Sequence, residues 1–406
     1  MESKIKIANN SYWVGYVDDR KVLFHRLILE KGTTYNSYLL DTEKPTIIDT
    51  VDIEFGRIFV ENLSNMMDLS KLEYVIINHV EPDHAGGLPA LMAKAKNAKI
   101  VTTALGAEEL KKMFKLHNRE YVIIHDGMTL DIGGKTLQFF ETPFLHTEET
   151  MVTYCIEDQI LYPCDQFSTH IANYELFNDL AKEDITEDFK VYYQLIMHPH
   201  RPYVQDMIKK IRKLDIKMIA PSHGYVLREN VEKYINAYDD MSRAKEGKKV
   251  AILFSTMTGN TTKVAKLMAE ALENKNIVTR IINVDNADVD AVVEVIKESD
   301  GVFFGSSTRY ADMVGNLETI LKQLKDLDLS GKFAVAFGSY GWSGEAIEVI
   351  NDYLKDTNLT VIDRSYIVKT TGMDDIQVPI RVKFKPEEES QTLGRTVQAI
   401  GDILVG

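Results

Sequence analysis

Cysteine is scarce in this chain, and that scarcity excludes a good deal. Of 406 residues only Cys155 and Cys164 are cysteines, and they form no C-x-x-C pair. A disulfide framework, a cysteine zinc ribbon and a rubredoxin-type iron centre are therefore ruled out within the chain. Any metal must be held by His, Asp and Glu. Basic clusters are missing too. The net charge is −14, and phosphate contacts need clustered Lys and Arg, so no nucleic-acid partner is expected. No apolar run approaches the ~18 residues that suggest a membrane span. The N-terminus, MESKIKIANN, lacks the basic head and apolar run of a signal peptide. A cytoplasmic protein with no membrane contact is expected.

What is present is enough for two domains. Hydrophobic residues make up 45% of the chain and charged residues 27%, a balance that buries an ordinary core. In the first half VLFHRLILE, SYLLDT and PTIIDT read as antiparallel strands separated by turns. LEYVIINH, AKIVTTA, YVIIHDG, KTLQFFETP, MVTYCIED, QILYPCD and KMIAPSHG supply further strands, with a helix over LPALMAKAK. A charged helix, NVEKYINAYDDMSRA, leads into the polar stretch KEGKK. The boundary is placed there, giving domains 1–247 and 248–406. After it, VAILF, VTRIINV, GVFFG, FAVAFG and LTVID alternate with helices. Five such units imply a parallel sheet covered on both faces.

The first half carries an unusual concentration of ligand-type side chains. His79, Glu81, Asp83 and His84 fall within six consecutive positions, directly after the strand LEYVIINH. His146 in TPFLHTEETM, Asp165 in LYPCDQF and His223 in APSHG also sit at or just past strand ends, where loops carry function on a rigid scaffold. Four imidazoles and three carboxylates are too many for one tetrahedral zinc. They suit two metal ions sharing one carboxylate. His25, His170 and Tyr193 are further candidates for the pocket beside such a site. His117, His125, His198 and His200 are assigned to surface or core.

The second half carries a different chemistry. VAILF runs into STMTGNTTK at the start of a helix. Thr256, Met257, Thr258, Gly259, Asn260 and Thr261 form a small turn whose hydroxyls and backbone N–H groups suit a phosphate. The Gly-Lys-Ser/Thr ending of a Walker loop is absent, as is G-x-G-x-x-G. Two more loops, GSSTRY after the third strand and GSYGWSGEA after the fourth, converge on the same sheet edge. Ser307, Thr308, Arg309, Tyr310, Ser339, Tyr340, Gly341, Trp342, Ser343 and Gly344 are the cofactor candidates there. The aromatic rings among them offer stacking surface for a flat ring.

His79-x-Glu81-x-Asp83-His84 followed by His146, Asp165 and His223 resembles the metallo-β-lactamase-like fold, whose hydrolases carry His where this chain has Glu81. The added oxygen donor favours iron or manganese more than a nitrogen-rich site does, tilts the reading from two zincs towards a carboxylate-bridged di-iron centre, and argues against a binuclear zinc hydrolase. Thr-x-Thr-Gly-Asn-Thr after the first strand resembles the FMN phosphate loop of flavodoxins. Together the two halves resemble the flavodiiron proteins over essentially the whole chain. That resemblance implies an αββα sandwich followed by a doubly wound sheet of order 2-1-3-4-5. It implies that His79, Glu81 and His146 hold one iron, that Asp83, His84 and His223 hold the other, and that Asp165 bridges them. It implies FMN as the electron relay, dioxygen or nitric oxide as substrate, and a head-to-tail homodimer that pairs further into a tetramer in some cases. No rubredoxin or second flavin domain follows Gly406, so an external donor is expected, either rubredoxin or a reduced deazaflavin coenzyme. After His146 the chain reads Thr147-Glu148-Glu149-Thr150, where many members carry Trp-Pro-Asp-Ser.

Overall fold

The computed structural model describes residues 4–24, 27–371, 373, 376–383 and 390–406. It divides into two compact units, Met1–Arg243 and Ala244–Gly406. The boundary proposed from sequence, after residue 247, falls in the adjoining KEGKK stretch.

Two sheets form the middle of the first unit. One orders its seven strands as Ile5–Ala8, Ser11–Trp13, Tyr38–Leu40, Thr46–Ile48, Tyr74–Ile76, Lys99–Thr102 and Tyr121–Ile123. The other orders Thr129–Asp131, Thr136–Glu141, Met151–Cys155, Ile160–Tyr162 and Met218–Ile219. Successive side chains of a strand point to opposite faces, and the apolar residues divide accordingly. Leu39, Ile47 and Val75 pack on the helices Gly56–Met66 and Leu88–Lys94. Tyr38, Leu40, Ile48 and Ile76 turn the other way and meet Leu137, Phe139, Met151 and Tyr162 of the second sheet. That sheet's outer face, with Val152, Tyr154 and Leu161, is covered by Phe189, Val204, Ile208 and Ile235. These come from the helices Thr186–Tyr192, Arg201–Ile211 and Val231–Ser242. The result is the expected αββα sandwich. One reading changes: VLFHRLILE is not a single strand but two, Val22–Phe24 paired antiparallel with Leu27–Leu29.

In the second unit the strands Val278–Asn283, Lys249–Ser255, Gly301–Ser307, Phe333–Tyr340 and Thr360–Val361 lie side by side in that order, all parallel. This is the 2-1-3-4-5 arrangement. The fifth position is filled by two pieces. Thr360–Val361 runs beside Phe333 and Ala334, while Ile380–Lys383 runs beside Phe337 to Tyr340. Only the first piece was legible in LTVID; the second, IRVK, is short and follows the helix Arg364–Thr371. Ile252, Phe254, Phe303 and Phe337 pack with the helices Asn260–Glu273 and Ser390–Leu404 on one face. Leu253, Val302, Phe304 and Ala336 face the opposite helix layer. Among the described residues no helix is long and apolar enough to cross a membrane.

Candidate functional site

The stretch NHVEPDHAGG begins where the buried strand Tyr74–Ile76 ends, and each of its turns is tied down. Asn78 donates from its backbone and side chain to the two oxygens of Asp49, each at 2.8 Å, and accepts from Thr153 Oγ1 at 2.7 Å. Pro82 opens a single helical turn, Pro82–Ala85, where its missing N–H has no cost. The turn is held by Thr50, whose N–H and hydroxyl both donate to His84 O. Gly86 is required by close approach: a Cβ there would lie 2.1 Å from Pro82 O and 2.3 Å from Ile53 N. His223 is fixed from another direction. Asn36 and Tyr38 donate to Pro221 O at 2.8 and 2.6 Å, and Gly224 N–H donates to Thr34 Oγ1 at 2.7 Å.

All seven ligand candidates converge, and they fall into two groups around Asp165. His79, Glu81, His146 and Asp165 form one cluster, and Asp83, His84 and His223 form another. Asp165 turns a different oxygen to each. Oδ2 lies 2.9 Å from His146 Nε2 and 3.7 Å from His79 Nε2. Oδ1 lies 3.3 Å from His84 Nε2 and 3.4 Å from His223 Nε2. Glu81 Oε2 stands 3.5 Å from His79 Nε2 and 3.7 Å from His146 Nε2. Asp83 Oδ2 stands 3.2 and 3.3 Å from the Nε2 atoms of His84 and His223. Atoms bound to one ion at roughly 2.1 Å lie about 3–3.5 Å from one another, so the spacing suits a metal in each group. Among the described residues the Nε2 atoms of His79 and His84 are buried and make no hydrogen bond, as metal-directed nitrogens would. The donor set, nitrogen with hard oxygen, fits iron.

Electrostatics agree with this geometry. Burial alone would raise the Asp165 carboxyl, but His84, His146 and His223 hold it well below the usual range. Burial would likewise lower His223, yet Asp165 and Asp83 push it up to about 10. The field that draws protons to these imidazoles is equally suited to a multivalent cation.

Several neighbours were not foreseen. Glu149, within the departing Thr-Glu-Glu-Thr stretch, is buried, and its Oε1 lies 2.6 Å from His79 Nδ1. Burial opposes its ionisation, but the His79 hydrogen bond and charge bring it down to about 2. Tyr192 donates its hydroxyl to Asp165 Oδ1 at 2.7 Å. Tyr193, the residue expected near the site, turns instead into an aromatic core, its ring 4.9 Å from Tyr238 and 6.3 Å from His198. The physical reason is helix phase. Adjacent residues point about 100° apart, and the helix widens at Tyr193–Met197 into a π-helical turn, a feature often found beside functional sites. Tyr192→Phe removes a bond to a buried carboxylate and is expected to cost about 1.5–3 kcal/mol in a urea titration of the metal-free chain. Tyr193→Phe is expected to leave the metal content of the loaded protein unchanged.

His170 does reach the site. Its Nδ1 is 3.0 Å from Thr33 Oγ1, and its ring is 5.0 Å from His223 and 4.9 Å from Tyr192. With Tyr192, Leu29, Val191 and Leu195 it lines a cavity of about 200 Å³. His200, assigned to surface or core, is held down to about 4 by burial and by the charge of His146. His25 lies outside the described residues.

At the carboxyl edge of the second unit the three candidate loops meet. Thr261 Oγ1 lies 2.9 Å from Ser307 Oγ and 2.8 Å from Ser339 Oγ. These three buried hydroxyls tie together the ends of the first, third and fourth strands. Gly259 takes φ +81° at the start of the helix Asn260–Glu273, a conformation that favours glycine. Thr256 Oγ1 accepts from Gly259 N–H at 3.1 Å, and Met257 N–H donates to Ser307 Oγ at 3.4 Å. Asn260 and Thr308 are half-buried and Gly344 is buried, while Thr258, Gly341 and Ser343 are exposed. Tyr310 is 87% and Trp342 93% exposed, with Met257 at 52%. Such apolar exposure at one sheet edge suits a planar ring that covers it. Tyr340 packs under Gly344 and Arg309 lies over the Tyr310 ring. A cavity of about 480 Å³ opens beside them, lined by Thr256, Met257, Asp285, Arg309, Val314, Gly315 and Asn316.

Known proteins match both halves. Residues 33–224 match the ODP family beta lactamase profile and residues 252–393 the flavodoxin profile. An uncharacterized protein of Methanocaldococcus jannaschii is 33% identical over 388 residues, covering 95% of this chain and 94% of its own. The anaerobic nitric oxide reductase flavorubredoxin of Escherichia coli is 32% identical over 399 residues, covering 96% of this chain and 80% of its own. The solved flavodiiron protein from Giardia intestinalis is similar at TM-score 0.59 and 30% identity, covering 99% and 96%. The rubredoxin:oxygen oxidoreductase from Desulfovibrio gigas is similar at TM-score 0.59 and 27% identity, covering 99% and 98%. The chain belongs to the flavodiiron protein family, oxidoreductases whose two domains carry a di-iron site and FMN.

Proposed function

We propose that this flavodiiron protein reduces dioxygen to water with electrons from an external donor. The observation that carries the reading is the division of six side chains, three and three, about Asp165. His79, Glu81 and His146 would hold one iron, Asp83, His84 and His223 the other, with Asp165 between them. When bound, FMN accepts electrons from the donor, and the irons supply the redox chemistry for a diatomic gas. The chain's own part is to bring four imidazoles and three carboxylates together, to bury His79, Asp83, His84, Asp165 and His223 while leaving Glu81 and His146 partly exposed, and to hold Asp165 through the Tyr192 hydroxyl. The hydroxyl-linked loops at Thr261, Ser307 and Ser339 would seat the flavin phosphate and its neighbouring ring.

Rubredoxin is the donor favoured by the name of the Desulfovibrio gigas enzyme; a reduced deazaflavin coenzyme is the alternative donor. We include a head-to-tail homodimer, with one subunit's FMN serving the other's irons, in the same proposal. A second reading, reduction of nitric oxide to nitrous oxide, is favoured by the Escherichia coli relative, itself named a nitric oxide reductase. Iron and FMN content, followed by anaerobic stopped-flow of the reduced protein against each gas, separates the two. Faster turnover with dioxygen, yielding water, is the expected result. Faster turnover with nitric oxide moves the assignment to the second reading. No turnover of either gas by chains holding two irons and FMN overturns both.

A further inference from the structure

The two halves of the metal cluster present equal donor sets. Each has two imidazoles, one carboxylate of its own and one oxygen of Asp165. What differs stands behind the imidazoles. His79 turns Nε2 towards Glu81 and Asp165, and turns Nδ1 to Glu149 Oε1 at 2.6 Å. His223 also turns Nε2 to the cluster, but its Nδ1 faces the backbone carbonyl of Thr34 at 2.7 Å. The His79 imidazole is therefore backed by a full negative charge and the His223 imidazole by a neutral dipole.

Glu149 is built for this position. It is 3% exposed. Its Oε1 also accepts the Val80 N–H at 3.0 Å, so two donors converge on one oxygen and mark it as an acceptor. Among the described residues its Oε2 is buried with no hydrogen-bond partner. A buried carboxylate oxygen in that state is costly unless charge nearby compensates it. We infer that Glu149 is a positioning residue that makes the two metal positions unequal. By holding the Nδ1 proton of His79 it fixes the tautomer and raises the basicity of Nε2. The half made by His79, Glu81 and His146 then binds its metal more tightly than the half made by Asp83, His84 and His223. The inference rests on the reading of the seven residues as ligands.

Glu149→Gln tests it, because glutamine keeps the size and an accepting oxygen for His79 and Val80 while removing the charge. The full-length, FMN-loaded protein is reconstituted anaerobically with ⁵⁷Fe(II) and challenged with increasing chelator. Wild type is expected to release its two irons in two stages. In Glu149→Gln the tighter iron loosens by roughly 10- to 100-fold, while the weaker stage stays in place. Of two Mössbauer doublets, one shifts and the other does not. A single release stage in wild type overturns the inequality without any variant. Two stages and two doublets left unmoved by Glu149→Gln overturn the role of Glu149. A wild-type chain that binds FMN but fewer than two irons overturns the ligand set instead.

Discussion

Asp165→Asn is expected to abolish gas reduction while leaving FMN bound. Asparagine has the shape of aspartate, so the loop that carries it has no steric reason to move. It differs in chemistry: one of its two terminal atoms becomes an NH₂ group, which cannot ligate a cation. Asp165 reaches both groups, with Oδ2 towards His146 and His79 and Oδ1 towards His84 and His223. Whichever way the amide turns, one half loses its shared oxygen, and both lose the negative charge between them. Loss of several kcal/mol of metal-based stabilisation lowers the rate by at least ~10³-fold. FMN per chain is expected to stay at wild-type level, because the loops that would hold it belong to the other unit. Iron content, flavin content and turnover on one sample check this. Two irons retained with near wild-type turnover would show that Asp165 does not bridge.

Gly315→Val is expected to have the reverse effect, losing FMN and keeping iron. Gly315 sits at φ +70°, and a Cβ there would lie 2.0 Å from Asp285 Oδ1 and 2.6 Å from Ser255 Oγ. The buried strand end and the acid hold their places, since Thr256 N–H donates to Asp285 Oδ2 at 3.3 Å. Residues 309–316 would therefore be the part displaced, away from the Thr256–Met257 turn with which they line the cavity. Left-handed strain of about 1–3 kcal/mol adds to overpacking of a similar size. Together about 3 kcal/mol or more, they weaken FMN by roughly a hundredfold or more. Flavin fluorescence on titration of the apoprotein measures the affinity, and iron analysis shows the other unit intact. An unchanged affinity would separate this loop from the flavin site.

The two substitutions differ in how far sequence led to them. Asp165 was reachable from LYPCD because ligand-type residues at a strand end carry their meaning locally. Gly315 was not, since nothing in MVGNLE announces that Asp285, thirty positions earlier by chain number, fills the space where a Cβ would be. Similarly, the adjacent Tyr192 and Tyr193 are equivalent in sequence. Only the phase of the helix, and the π-helical turn after it, sends one hydroxyl to Asp165 and the other ring into the core.

By itself the sequence pointed to a two-metal donor set, to strands alternating with helices and to loops suited to a phosphate, while the resemblance to the flavodiiron proteins implied the αββα and 2-1-3-4-5 architectures. His79, Glu81, Asp83 and His84 lie within six consecutive positions, and the alternation of apolar strands and helices is periodic, so both signals survive without tertiary context. Tertiary structure alone decided which oxygen of Asp165 faces which group, and that three hydroxyls tie together the ends of the first, third and fourth strands of the second unit. It also decided that Glu149 stands behind His79 across 70 residues of chain. Those are properties of side-chain direction and of distance between remote segments. They depend on how whole layers pack, which no local pattern encodes.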